Sequence, residues 1–265
     1  KGSQSTLYGS DAIAGVINII TKKKFEQKVQ AVGGLSYGSF NTLRGNAGIQ
    51  GSLNKLSYQA SYAAMNTDGI SEAKQTGSIP FDKDGATQHS LQSSFDFKPI
   101  ESLSVKPFIR YNTFKGAYDA GAFTDDLQNK YDATLLSTGL QSNYQLKNGS
   151  VNLQYSYDET QRRYDGTYGP SEYNGKFNHL EIFSNYQITK QLQLLAGIAT
   201  QNFKMLDETS SEKNPAVSIF SPYMSLLGNF NKLSLEGGVR YNRRTKFGDA
   251  TTFSMNPSYL INNFK

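Results

Sequence analysis

Residues 56–64 read Leu56-Ser57-Tyr58-Gln59-Ala60-Ser61-Tyr62-Ala63-Ala64. Leu56, Tyr58, Ala60, Tyr62 and Ala64 fall on one side of an extended chain, and Ser57, Gln59 and Ser61 on the other. That is the two-residue period of a β-strand, not the 3.6-residue period of a helix. The pattern recurs in two further strong copies. Val151, Leu153, Tyr155 and Tyr157 oppose Asn152, Gln154, Ser156 and Asp158, while Leu233, Leu235, Gly237, Val239 and Tyr241 oppose Ser234, Glu236, Gly238, Arg240 and Asn242.

Fainter copies bring the expected total to about twelve strands, ending near Ile261. The connections alternate. Asn54-Lys55, 99–102, 147–150, 189–191 and Asn231-Lys232 are tight, whereas 67–88, 115–133, 159–177 and 206–215 are long. The expected fold is therefore all-β and up-and-down, with turns at one end and loops at the other. Alternation does not say which face is wet, since a soluble sandwich also buries one face. Strands of about ten residues, short turns at one end only and aromatics near strand ends favour a transmembrane barrel whose apolar face meets lipid. The aromatic belt then rests on Tyr37, Tyr111, Phe114, Tyr157, Tyr164, Tyr223 and Tyr241, because the chain has no Trp. Pro107 and Pro257 interrupt predicted strands on the apolar face and call for bulges or a local misassignment.

Composition removes several function classes. Among 265 residues, 27 Lys plus Arg against 22 Asp plus Glu give +5, spread along the chain, which disfavours a nucleic-acid stripe. Hydrophobic residues make up 37%, the mean hydropathy is −0.54, and no apolar run is long enough for a membrane helix. Zero Cys removes thiolate chemistry, and His89 and His179 are the only imidazoles. No nucleophile elbow, phosphate loop or paired-carboxylate motif is present, so no enzyme, cofactor or metal site is expected. Acidic runs at Asp125-Asp126 with Asp132, and at Asp158-Glu159 with Asp165, match no calcium-loop spacing and read as solvated.

The first two dozen residues differ from the rest. Gly2, Ser5, Leu7-Tyr8-Gly9-Ser10-Asp11-Ala12-Ile13, Gly15 and Val16-Ile17-Asn18-Ile19-Ile20-Thr21 resemble the end of the plug of TonB-dependent outer-membrane receptors. In that family the segment directly precedes the first strand of a barrel of about 22 strands whose lumen the plug fills. The resemblance implies a division into 1–24, the end of a plug, and 25–265, about twelve strands of barrel wall. It also implies that the energy-coupling box is absent, so that residues 1–265 alone do not transport.

On this reading the protein resides in the outer membrane of a Gram-negative bacterium. It imports a scarce nutrient such as an iron chelate, cobalamin or a glycan, driven by the TonB complex. Tyr8, Gly9, Asp11, Gly15 and Asn18 belong to plug packing and gating. Loop aromatics Tyr118, Phe123, Tyr131, Tyr164, Tyr168 and Tyr173 are candidates for capturing the small ligand. Arg162, Arg163, Arg243 and Arg244, at strand ends on the loop side, are candidates for lipopolysaccharide phosphates. Lys22-Lys23-Lys24 reads as a solvated link. The alternatives are a soluble or surface β protein binding glycans through its aromatic loops, and a passive porin.

Overall fold

The computed structural model describes residues 25–78, 80–167, 169–207 and 214–261. Within them twelve strands form one antiparallel sheet, each hydrogen-bonded to its neighbour in sequence. They are β1 (Gln30–Gly38), β2 (Thr42–Leu53), β3 (Leu56–Thr67), β4 (Ala86–Ile100), β5 (Leu103–Ala117), β6 (Lys130–Leu146), β7 (Gly149–Asp165), β8 (Ser171–Gln187), β9 (Leu192–Asp207), β10 (Ala216–Phe230), β11 (Leu233–Arg244) and β12 (Ala250–Tyr259). No helix occurs among the described residues. The sheet is open, with β1 and β12 at its edges.

Tight turns close one end because Asn accepts backbone angles that β-branched residues resist. Asn54 and Asn231 both have positive φ, 49° and 57°, and each is followed by Lys. Register then carries one face across the whole sheet. Leu56 and Tyr62 of β3 stand opposite Phe97 and Leu91 of β4, which meet Val105 and Tyr111 of β5. The same face continues to Leu235 and Val239 of β11, opposite Pro257 and Phe253 of β12.

Apolar side chains on that face stay open: Leu35 is 79% exposed, Phe253 78% and Met255 76%. The opposite face is polar, yet its members Ser221, Ser225, Arg240 and Asn242 are buried. A single layer buries residues only on its hollow side, so the polar face is the inner one. Phe25, Ala73, Ala199 and Tyr223 are the only buried hydrophobic side chains among the described residues. Leu56, Tyr58, Leu153, Tyr155, Leu235 and Val239 therefore do not build a dry centre, and hydrocarbon is the partner that satisfies them. On β11 the outward apolar positions run from Leu233 to Tyr241; at ~3.3 Å per residue and ~40° tilt they span about 20 Å, close to the apolar band of an outer-membrane barrel.

Three expectations are corrected. Strands β6 to β10 run well past their apolar segments toward the loop end, so 159–177 is mostly strand and its loop shrinks to 166–170. Outward positions there are Glu159, Gln161 and Arg163: the apolar rhythm stops where the wall leaves the membrane, while the backbone ladder continues. Second, Phe114, Tyr164 and Tyr223 lie on the inner face by register, leaving Tyr37, Tyr111, Tyr157 and Tyr241 on the outer one. Third, Pro257 sits in an uninterrupted β11–β12 register, so it forces no bulge against β11. Pro107 does interrupt: the β4–β5 pairing skips from Ser94↔Phe108 to Phe97↔Val105 and shifts before Ile100. The Ser104 hydroxyl donates to Asp96 Oδ1 at 2.7 Å across this gap, and Lys106 Nζ lies 3.6 Å from Asp96. Pro222 does the same in β10, where pairing with β11 skips from Phe220↔Arg243 to Tyr223↔Arg240. There Ser221 Oγ donates to Asn242 Oδ1 at 2.7 Å, so a side-chain bond stands in for the lost ladder bond.

Candidate functional site

Alternation places Phe114, Tyr131, Tyr164 and Tyr173 on the inner face at the loop end, on four consecutive strands. Their rings touch in sequence. Phe114 stacks on Tyr131 with centroids 5.0 Å apart, Tyr131 on Tyr164 at 6.1 Å, and Tyr164 meets Tyr173 edge-on at 6.2 Å. Tyr118, from the β5–β6 loop, stands edge-on to both Tyr131 and Tyr164, at 6.2 and 6.0 Å. Phe177 and Phe203, with centroids 4.6 Å apart, extend the aromatic wall lower on β8 and β9. Ring pairs at such distances add about 0.5–1.5 kcal/mol beyond area burial and hold the rings as one shelf. Four of the six aromatics named from sequence thus meet. Phe123 stands apart, 59% exposed, and Tyr168 lies outside the described residues.

Beside the shelf, acidic side chains knot the β3–β4 and β5–β6 loops together. Asp119 Oδ2 accepts the Ala73 amide at 2.9 Å and the Ser71 hydroxyl at 3.1 Å, and its Oδ1 accepts the Asp126 amide at 2.8 Å. Asp84 Oδ2 accepts the Glu72 amide at 2.6 Å, and Asp125 Oδ1 accepts the Asp82 amide at 3.1 Å. Gly69, at φ 70°, makes the turn possible; a Cβ there would collide with the Asp84 carbonyl. Thr167 donates to Asp126 Oδ2 at 3.2 Å, bringing in the β7–β8 loop.

Carboxylate oxygens of Asp82, Asp84 and Asp119 lie within 4.8 Å of one another, and Asp82 Oδ1 and Asp84 Oδ1 are buried without a hydrogen-bond partner. Burial, with the charges of Asp119 and Asp82, outweighs the Glu72 amide and pushes Asp84 up to about 6. Asp82 is also raised, by burial and by its contact with Asp125. Asp119 goes the other way: desolvation pushes it up, but the Ala73 and Asp126 amides and the Ser71 hydroxyl more than offset this. Three convergent hard oxygens with two unused acceptors suit a proton or a hard divalent cation. Sequence reasoning singled out Asp125-Asp126 with Asp132 instead. Asp132 is elsewhere, 3.5 Å from Lys115, and Asp158 and Glu159 point to opposite faces. The signal that was present is Asp82-Lys83-Asp84 within a long loop.

Below the mouth the inner wall is polar. A groove of about 620 Å³ between β3 and β7 is lined by Ser57, Asp96, Lys106, Asn143 and Gln154 among others. Further round, Tyr223 donates to Glu181 Oε1 at 2.7 Å and lies across Gly197, where an added Cβ would meet the phenol at 2.7 Å. The Arg240 guanidinium covers the Tyr223 ring at 5.0 Å and donates to Asn242 Oδ1 at 3.2 Å. Of the four arginines named from sequence, Arg162 and Arg244 fall on the inner face by register. Arg163 is outward but held by Asp165 at 2.9 Å and Glu172 at 3.1 Å; Arg243 is outward and exposed. His89 is outward against the Tyr62 hydroxyl at 2.6 Å, and His179 is inward beside Phe177. Tyr8, Gly9, Asp11, Gly15 and Asn18 lie outside the described residues.

No family model matches the chain. The vitamin B12 transporter BtuB of Vibrio cholerae is 24% identical over 271 residues, covering 98% of this chain and 43% of the transporter. The siderophore receptor PirA from Pseudomonas aeruginosa superposes with a TM-score of 0.77 at 19% identity, over 99% of this chain and 46% of that one. The FrpB iron transporter from Neisseria meningitidis superposes at 0.69 and 13%, over 88% of this chain and 43% of that one. The chain spans less than half the length of these relatives, all of them transporters or receptors. Its fold is that of the barrel wall of TonB-dependent receptors of the Gram-negative outer membrane, twelve strands of it.

Proposed function

We propose that these strands form part of a TonB-dependent transporter that captures a scarce nutrient at the cell surface and draws it through the barrel without making or breaking a chemical bond. The nutrient class is an iron chelate, a cobalamin or a glycan, and TonB supplies the energy through the plug. Residues 1–24 are the end of that plug in this reading, with Tyr8, Gly9, Asp11, Gly15 and Asn18 in its packing. The observation that carries the proposal is the aromatic shelf of Tyr118, Tyr131, Tyr164 and Tyr173 at the loop end of the wall. Flat ring faces set in a rigid sheet bind the flat, partly apolar faces of a metal chelate or corrin at small entropic cost. The loop knot holds Tyr118 in place through its neighbour Asp119.

A soluble glycan binder is not favoured, because nothing among the described residues covers the apolar face. The test is uptake by a receptor-null strain carrying the full-length protein, with labelled ferric enterobactin, cyanocobalamin and maltohexaose as probes. One probe accumulates only when TonB is present, and the paired change Tyr131→Ala and Tyr164→Ala weakens its binding at least tenfold at equal receptor abundance. Uptake independent of TonB, or unaffected by the paired change, would sink the proposal.

A further inference from the structure

The outer wall of β8 to β11 carries a feature that ligand capture does not use. An open groove of about 550 Å³ is lined there by Ile182, Ile198, Pro222, Met224, Val239 and Tyr241. Its floor is low because Ala196 is small and because Pro222 interrupts the ladder to β11. Met224, 50% exposed, and Ile198, 46%, confirm that it opens outward.

Toward the loop end of the same face stand two cations without a carboxylate partner among the described residues, Lys204 and Arg243. Lys204 is directly opposite Lys176 in the β8–β9 register, an arrangement of like charges that disfavours the pairing unless an anion neutralises it. Lys176 has Glu159 at 3.5 Å; Lys204 has no such relief. The neighbouring sector is different, because Lys115 with Asp132, and Arg163 with Asp165 and Glu172, neutralise one another there. Lys204 pairs with Ala216 and Arg243 with Phe220, so the two lie two strand spacings and four residues apart, roughly 16 Å.

We infer that this sector binds a bis-phosphorylated, multiply acylated glycolipid of the lipid A type, its phosphates on Lys204 and Arg243 and one acyl chain in the Pro222 groove. Two separated cations above one open apolar groove fit a headgroup with two phosphates better than a phospholipid with one. Arg adds a bidentate grip on phosphate, and the salt-screened surface charge becomes stronger next to hydrocarbon. The inference rests on the outer face meeting lipid. Full-length protein that stays monodisperse without detergent would defeat that premise and the inference with it.

Given a detergent-requiring protein, the test is native mass spectrometry of the full-length receptor titrated with hexa-acylated lipid A or with phosphatidylglycerol. Wild type retains lipid A, and both the double variant Lys204→Glu with Arg243→Glu and the groove-filling Met224→Trp weaken retention at least tenfold. Heat-modifiable migration on gels verifies that each variant is folded; where the double variant fails this check, Met224→Trp and the milder Lys204→Gln carry the comparison. Lipid A held equally by wild type and folded variants overturns the inference. So does phosphatidylglycerol binding as tightly as lipid A with the same dependence on these residues, which would make the groove a phospholipid site.

Discussion

At the residue scale, Asp84 has the clearest consequence. Its carboxyl ionises at about 6 in the folded loop against an ordinary 3.8, so the charged form is disfavoured by folding. The contribution to stability is fully present below pH ~4 and is lost as pH rises through about 6. The groups facing it are Asp82 and Asp119, with Asp125 beyond Asp82. Without divalent cations, exchange protection of the Glu72 and Ala73 amides, corrected for intrinsic rates, should therefore be greater at pH 5 than at pH 8. Asp84→Asn should flatten that profile, and millimolar calcium at pH 8 should restore protection in wild type. A flat wild-type profile would show that the three carboxylates do not repel one another in the way the geometry requires. Gly197 carries a second prediction. Val there must displace the Tyr223 phenol from Glu181, and the overpacking should cost about 1–3 kcal/mol, read as an earlier heat-modification midpoint in the full-length barrel. Tyr223→Phe, which removes only the hydrogen bond, should cost less.

At the element scale, the strands were legible where lipid writes the pattern and illegible where water does. Leu153 to Tyr157 announce β7 because outward positions must be apolar inside the membrane. Beyond them Glu159, Gln161 and Arg163 are outward as well, and no hydrophobic rhythm marks the eight further ladder pairs up to Tyr164 and Asp165. The same limit governed the site. Tyr118, Tyr131, Tyr164 and Tyr173 stood out by composition, but their meeting depends on the register of three hairpins, which no single segment encodes. Asp82 and Asp84 meet Asp119 only because two long loops fold together. Proline was read correctly only in part: Pro107 breaks a ladder, Pro257 does not, and Pro222 went unnoticed between apolar neighbours. The shelf acts as one unit if its rings are coupled. A double-mutant cycle on Tyr131→Leu and Tyr164→Leu should give a coupling of about 0.5–1.5 kcal/mol in barrel stability; additive effects would mean that the rings are merely adjacent.

At the scale of the whole molecule, the decisive feature is the pair of open edges. Strands β1 and β12 each expose a row of backbone donors and acceptors, flanked by Leu35 on one side and by Phe253 and Met255 on the other. In hydrocarbon an unpaired N–H or C=O costs several kcal/mol, and water is not there to replace the partner. A sheet of this kind is therefore stable in a membrane only when both edges are paired. The 265-residue polypeptide produced by itself should consequently assemble through its edges. In detergent, light scattering should report dimers or larger species, and backbone amides of β1 and β12 should exchange much faster than those of β6 and β7, which pair on both sides. Any longer chain that pairs both edges should instead be a heat-modifiable monomer with uniform protection around the barrel. A monodisperse 29.3 kDa monomer with β1 and β12 equally protected would mean that twelve strands close on themselves, and that the lumen is a narrow pore with no room for a plug.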